Sequence, residues 1–425
     1  MPSSLKKNHQ ATAEISRQKL IADYIRVRNI SLQICAPLMA DDYQIQSGIE
    51  ISPPKWHLAH VTWFFETFLL EAFESEYRPI DPQYSYLFNS YYQTVGAMHA
   101  RAKRGLLSRP TIEQVFHYRS EIDKRIVDFI DNLDESQWKQ AAFRLTLGLH
   151  HEQQHQELLF MDIKHNFWSN PLKPSYLERS QPAMKMTGKL DWEERPGGVV
   201  QIGTNNDDGF TFDNEKPRHQ VWLEPHRLSS RLITNNEFLD FMEDGGYSKS
   251  ELWLSDGWSH IQNTQWKSPL YWENHDGLWL EFTLHGLETM NPSAPVSHIS
   301  YYEADAYARW AGKRLPSEAE IETKLLEIPV TGHFSESGIF HPQAGKGQFY
   351  GSLWEWTASP YLAYPRFKPL EGSMGEYNGK FMCNQWVLRG GSCVTPEDHI
   401  RPTYRNFFYP HDRWQFSGIR LADDL

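Results

Sequence analysis

From about residue 12 to residue 166, apolar side chains return every three or four positions. Beyond Asp191 that rhythm stops, and Gly, Trp, Asn and Pro become frequent. Such a break predicts a helical unit followed by a unit of another kind. Four helices are expected. The first covers about 12–38, with Leu20, Ile21, Tyr24, Ile25 and Val27 as its apolar positions. The second begins near Ser52 with Pro53 in its first turn, where a missing N–H costs nothing, and runs toward Tyr77. The third starts at Thr111, whose pairing with Gln114 makes a capping box. The fourth spans about Glu135–Asn166. With one long connection over 78–110, the four read as a bundle. Residues 167–190 read as a linker. Residues 191–425 read as a loop-rich α+β unit, with helices expected at Asn235–Asp244 and Tyr301–Trp310.

The 425 residues allow two or three domains at roughly 100–200 residues each. Hydrophobic residues at 40% and charged residues at 23% exclude a largely disordered chain. A net charge of -12 gives a nucleic-acid partner no support. No apolar run is long enough for a membrane span. The opening MPSSLKKNHQ lacks the apolar stretch of a signal peptide. With Cys35, Cys383 and Cys393 as its only cysteines, the chain is expected in the cytoplasm.

The fourth helix carries HHEQQHQE at 150–157. His151 and His155 are four residues apart, so both leave one face of the helix. They share the stripe Leu147, His151, His155, Leu158, Leu159, which should point into the bundle, while His150 lies about 100° round. The second helix offers Trp56, His60, Phe64 and Phe68 at the same spacing, with His57 a turn earlier. A lone inward histidine is ordinarily a hydrogen-bonded core residue. Three imidazoles in an apolar bundle are costly unless something satisfies them, and a metal ion does. His60, His151 and His155 are therefore the candidate ligands. Zinc, iron(II) and copper all suit three neutral nitrogens. Glu157 points away from that face and is expected to support an imidazole from outside. Residues 151–155 also read HEQQH, a zinc-peptidase pattern that would need Glu152 beside a metal-bound water.

Other groups are weaker signals. Tyr91 and Tyr92 could donate a proton to a reacting oxygen, or simply pack the crossover. Arg101 and Arg104 could clamp a carboxylate, or form a solvated basic surface. The stretch Arg405–Trp414 could wall a quaternary ammonium, or be core. The acidic loop Asn205–Asp208 could hold calcium.

Taken together, several segments resemble the iron-dependent sulfoxide synthases of ergothioneine biosynthesis (the EgtB family). They are WHLAH (56–60), HHEQQHQE (150–157), NEKPRHQVWLEPHRLS (214–229), PVSHISYYEADAYARWAGKRLPSEAE (295–320), GSLWEWTASPY (351–361), VLRGGS (387–392) and RNFFYPHDRWQFSGIRLA (405–422). The resemblance runs from about residue 15 onward. It implies a DinB-like bundle over 1–166 and a formylglycine-generating-enzyme-like (sulfatase-modifying factor) domain, related to C-type lectins, over 191–425. It also implies iron(II) on His60, His151 and His155, with O2, hercynine and a thiol as substrates. The implied reaction joins the thiol sulfur to the imidazole C2 of hercynine and oxidises it to a sulfoxide. Tyr91 and Tyr92 match a catalytic tyrosine pair found in one subgroup. Arg101 and Arg104 match the grip on the thiol substrate's carboxylate. Gln154, Asn406, Phe407 and Phe408 match the hercynine pocket. Residues 405–409 hold no carboxylate for the ammonium of a γ-glutamyl group, so free cysteine is favoured over γ-glutamylcysteine. The resemblance rejects the peptidase, because the third ligand lies upstream at His60. It rejects formylglycine generation, because no cysteine follows Cys393. A selenium- or ovothiol-type relative, a zinc-dependent thiol transferase and a lectin-like binding protein remain as alternatives.

Overall fold

A computed structural model describes residues 16–178, 187–205 and 209–425. The expected helix start at residue 12 and most of the Asn205–Asp208 loop lie outside them, as does part of the 167–190 stretch. Helix α1 (Arg17–Cys35) starts where Ser16 Oγ accepts from the Lys19 backbone N–H, a side-chain cap. It buries Leu20, Tyr24, Val27 and Ile34, whereas Ile25 faces solvent. Helix α2 (Pro54–Phe65) has Pro54 rather than Pro53 in its first turn. It then widens into a π-turn over Glu66–Leu70 and ends in α3 (Glu71–Phe73), short of Tyr77. Glu66 explains the early end. Its buried carboxylate accepts from Tyr77 Oη at 2.8 Å and from the Ile80 N–H at 2.9 Å, which folds the chain back.

The long crossover holds a short α4 (Tyr84–Phe88) and a 3₁₀ turn over Arg101–Leu106. Helix α5 (Ile112–Asn132) opens on the Thr111–Gln114 capping box. Helix α6 (Glu135–Ser169) runs three residues past its expected end at Asn166. It packs against α1 and α2, and α2 packs against α5. Helix α2 thus lies among the other three long helices, and all of its side chains from Pro54 to Phe65 are buried. Among the described residues, no helix is long and apolar enough to cross a membrane.

The second half is built from short strands. In chain order they are β1 (Trp192–Arg195), β2 (Gly198–Ile202), β3 (His219–Leu223), β4 (His226–Ser229), β5 (Trp272–His275), β6 (Leu278–Thr283), β7 (Gly286–Thr289), β8 (Trp354–Pro360), β9 (Trp386–Arg389), β10 (Asn406–Phe408), β11 (Ser417–Gly418) and β12 (Ala422–Asp424). They form sheets in the orders β1-β4-β12, β10-β9-β8-β11, β2-β3 and β5-β6-β7. All pairings are antiparallel except β11 with β8. The helices α7 (Asn235–Glu243) and α9 (Tyr301–Trp310) lie where periodicity placed them, each behind a capping box. Two helices were not anticipated, α8 (Ser255–Thr264) and α10 (Glu318–Leu325).

The segment from β8 to Trp414 covers one side of α6. Glu157 belongs to this seam and orients no imidazole. Its carboxylate accepts from Trp354 Nε1, from Thr395 Oγ1 at 2.7 Å and from Ser392 Oγ at 3.3 Å. Burial pushes its carboxyl up to about 7. Lys164 donates across the same seam to His298 Nε2 at 2.8 Å, and Gln153 meets Asp398.

Candidate metal centre and substrate pocket

Helix α2 supplies His57 and His60, and α6 supplies His151 and His155. One nitrogen from each of His60, His151 and His155 lies within 4.8 Å of the others, and all three residues are buried. The hydrogen bonds settle which nitrogens converge. His60 Nδ1 donates to the Phe88 carbonyl at 2.6 Å, which leaves the Nε2 lone pair free. That Nε2 stands 3.2 Å from His151 Nε2. His57 Nε2 lies 2.9 Å from the Asp162 carboxylate and therefore carries its proton there. Its Nδ1 is then an acceptor, so His155 Nδ1 donates to it at 2.8 Å and keeps its Nε2 lone pair for the centre.

Burial pulls all four imidazoles below their ordinary value, His151 to about 3, so they are neutral. His151 Nδ1 has no partner. His60 Nε2 and His151 Nε2 face each other at 3.2 Å, and with the proton of His151 on its unpartnered Nδ1 both would offer lone pairs to one cation. The donor set thus fits a metal ion.

The outer support was legible only in part. Asp162 is seven residues after His155 and so on the same helix face. It also accepts from the Ser52 N–H at 2.8 Å and from Trp414 Nε1 at 3.2 Å. This is the carboxylate–histidine arrangement that fixes tautomers around metals. Asp162→Asn is expected to lower metal affinity about 10- to 100-fold with the fold intact, read by competition with a chromophoric chelator. Wild-type affinity in that variant would remove Asp162 from the account.

Glu152 lies in a different environment. Its carboxylate takes Arg28 Nη1 at 3.0 Å, Ser31 Oγ at 2.6 Å, and Arg119. Burial alone would raise it, but Arg119 and Arg28 hold it down at about 2. It faces α1 and α5 and cannot act on a metal-bound water, which removes the peptidase reading.

The arginines part company. Arg104 goes inward: its guanidinium carbon lies 3.2 Å from the Trp56 ring centroid, and Trp56 in turn stacks on His60 at 4.6 Å. Arg104 donates to Ser52 Oγ at 2.9 Å, while its buried Nε has no partner. Arg101 stays half-exposed on Glu50 at 3.2 Å.

Tyr92 is fully buried, and its hydroxyl lies 3.4 Å from that of Tyr91. Burial pushes both phenols up. A third tyrosine, Tyr377, was missed. It comes from the second half, its ring 5.6 Å from that of His151 and 6.3 Å from that of Tyr91. Its hydroxyl donates to Gln154 Oε1. No local pattern marks it.

Alternation along β10 divides the other candidates. Phe407 faces one way, stacked on Tyr361 at 4.0 Å, with Phe381 at 6.0 Å joining it to Tyr91. Asn406 and Phe408 lie on the other side of the strand. Phe408 packs edge-on against Trp414 at 5.5 Å. Asn406 Oδ1 accepts from the Phe407 N–H, which leaves its Nδ2 free.

Residues 195–324 and 331–425 match the sulfatase-modifying factor enzyme 1-like domain, and residues 23–159 match the DinB superfamily. A hercynine oxygenase of Mycolicibacterium thermoresistibile is 30% identical over 446 residues, covering 96% of this chain and 95% of that protein. The chain belongs to the hercynine oxygenase family. A second member, from Mycobacterium tuberculosis, is 30% identical over 88% of this chain and 92% of its own length. A formylglycine-generating enzyme of Streptomyces coelicolor is 30% identical over 58% of this chain and 71% of its own. Cys35, Cys383 and Cys393 are all free thiols, and burial pushes that of Cys393 far up. Tyr377, bonded to Gln154 and 5.6 Å from the His151 ring, brings the histidine triad to the seam between the two matched domains.

Proposed function

We propose that this chain is an O2-dependent sulfoxide synthase acting in the cytoplasm, joining the thiol of cysteine to the imidazole C2 of hercynine. The observation that carries it is three converging buried imidazoles, with the Tyr377 ring 5.6 Å from that of His151, in a chain of the hercynine oxygenase family. The reaction balances. Hercynine C2–H and the thiol S–H are lost, a C–S bond forms, one oxygen atom of O2 goes to sulfur, and the other leaves as water. Sulfur and carbon together supply the four electrons.

Iron(II) held by His60, His151 and His155 would supply O2 activation. The protein's own residues bind and orient. The face of Phe407 turned away from Tyr361, with the nearby Phe381 ring, suits the trimethylammonium group. Gln154 offers an amide for the carboxylate and imidazole. Arg104, with an unpartnered Nε, suits the carboxylate of the thiol substrate. Phenols at Tyr91 and Tyr92, held in their protonated form by burial, can give a proton or hydrogen to a reacting oxygen. Residues 1–166 then form the metal-bearing unit and 191–425 the cover that completes the pocket.

Two experiments bear on this. In the first, the iron(II)-loaded protein is given hercynine and air with either cysteine or γ-glutamylcysteine, and the products are read by mass spectrometry. A cysteine-derived sulfoxide is expected. Product from γ-glutamylcysteine alone would leave the reaction and overturn the donor. In the second, Tyr91→Phe and Tyr92→Phe are expected to keep metal and substrate binding but to divert turnover toward simple thiol oxidation. Unchanged product ratios in both variants would remove the tyrosines from the chemistry.

A further inference from the structure

Gln154 is the end of a hydrogen-bonded series that leaves the pocket along the domain seam. Its Oε1 accepts from Tyr377. Its Nε2 donates to Tyr404 Oη at 2.7 Å. The Tyr404 oxygen has now accepted, so its own proton goes to His399 Nε2, 3.1 Å away. An imidazole that accepts at Nε2 carries its proton on Nδ1, and His399 Nδ1 faces His150 Nδ1 at 3.0 Å. Each member has one group left to offer, and the next needs that one. Reversing the Gln154 amide would require the Tyr404 hydroxyl to turn and both imidazoles to change tautomer together.

The surroundings hold the series still. His399 and Tyr404 are buried. The His150 ring lies flat on Phe210 at 4.3 Å. Arg401 covers the Tyr404 and Phe210 rings at 5.1 Å and 5.6 Å, and its guanidinium is paired with Glu215. After these bonds Gln154 keeps one Nε2 proton and one Oε1 lone pair uncommitted. These are what it can turn toward a substrate.

We propose that Tyr404 and His399 are positioning residues for the imidazole substrate, acting through the amide of Gln154. The inference rests on the reading of Gln154 as part of the hercynine pocket. Without His399 the Tyr404 proton is free to turn back onto Gln154, and the amide loses its single orientation. The seam would then control hercynine binding without touching it, and would leave the thiol site alone.

The test uses the full-length, iron-loaded protein and the variants His399→Leu, Tyr404→Phe, their double mutant, and His399→Asn, which restores a polar partner. KM for hercynine is expected to rise about 5- to 10-fold in each of the two single variants, the scale of one directed hydrogen bond. KM for the thiol and the iron content should stay at wild-type values. The double mutant should be no worse than Tyr404→Phe alone, because both break one series. His399→Asn should recover most of the loss. Wild-type KM for hercynine in His399→Leu would overturn the inference. So would parallel losses in thiol KM and iron content, which mark a merely structural role. A wild-type protein that does not turn over hercynine would overturn this inference together with the proposed function, and that result is distinct from the other two.

Discussion

His151→Ala and His155→Ala are expected to lose bound metal and turnover together while remaining folded. Each removes one of three converging nitrogens, so the loss should exceed the ~100-fold typical of losing a supporting partner alone. Stability without metal should change little. In His151→Ala, a buried imidazole with an unpartnered Nδ1 disappears, which relieves a desolvation cost while opening a small cavity. The sharper readout is linkage: a metal that binds only the folded chain raises its stability. Adding metal should raise the melting temperature of the wild type and leave both variants where they were. Metal-dependent stabilisation in both variants would place the ion elsewhere. His57→Ala probes the same centre from outside. It should weaken metal binding less than the ligand variants, because it removes only the acceptor that orients His155.

The largest effect on stability is expected one residue from a ligand, at Glu152. Its carboxylate is fully buried against Arg28 and Arg119, which are themselves buried. Arg28 has a second anion, Asp123 at 2.6 Å. Among the described residues Arg119 has no other carboxylate, and its Nε and Nη1 are without partners. Glu152→Ala therefore leaves a buried cation uncompensated, a defect that costs about 3–5 kcal/mol. The shift in urea midpoint measures it. The sign of the pH dependence follows from a carboxyl held down at about 2. The stabilisation is complete above its ordinary value in the unfolded chain and is lost as the pH falls toward 2. A catalytic Glu152 would behave in the opposite way, with activity lost and stability kept. A Glu152→Ala protein as stable as wild type would contradict the structural role.

Much of the first half could be read from local pattern. Helix α5 announces itself by the Thr111–Gln114 box and α6 by its stripe, and the latter carries His151 and His155 inward. The π-turn at Glu66–Leu70 could not be read, because it follows from a buried carboxylate that gathers Tyr77 and the Ile80 N–H from farther along the chain. In the second half, α9 was legible by periodicity and cap. Helix α10 has the same kind of signal, Ser317 with Glu320, and was missed although the box was present. Helix α8 has none, since Leu254 at its N-cap offers no side-chain acceptor.

The candidate site divides along the same line. The three imidazoles lie on two helices whose stripes are local facts. Asp162 was also within reach, one heptad beyond His155. Tyr377, Tyr404 and His399 come from turns and loops more than two hundred residues from Gln154, and only the folding of the second half against α6 brings them there. Alternation along β10 further shows that Phe407 and Phe408 cannot line one wall, a consequence of strand geometry that a bare string of aromatics hides.

The account is tested most directly by turnover under ¹⁸O2. The iron-loaded wild type is given hercynine labelled with deuterium at C2, together with cysteine. The product should contain both carbon skeletons, one ¹⁸O atom on sulfur and no deuterium at C2. A coupled product without ¹⁸O, or no coupled product from any thiol, would contradict the proposed oxygenase chemistry. In that case the three histidines would be read as the centre of a zinc-type thiol transferase.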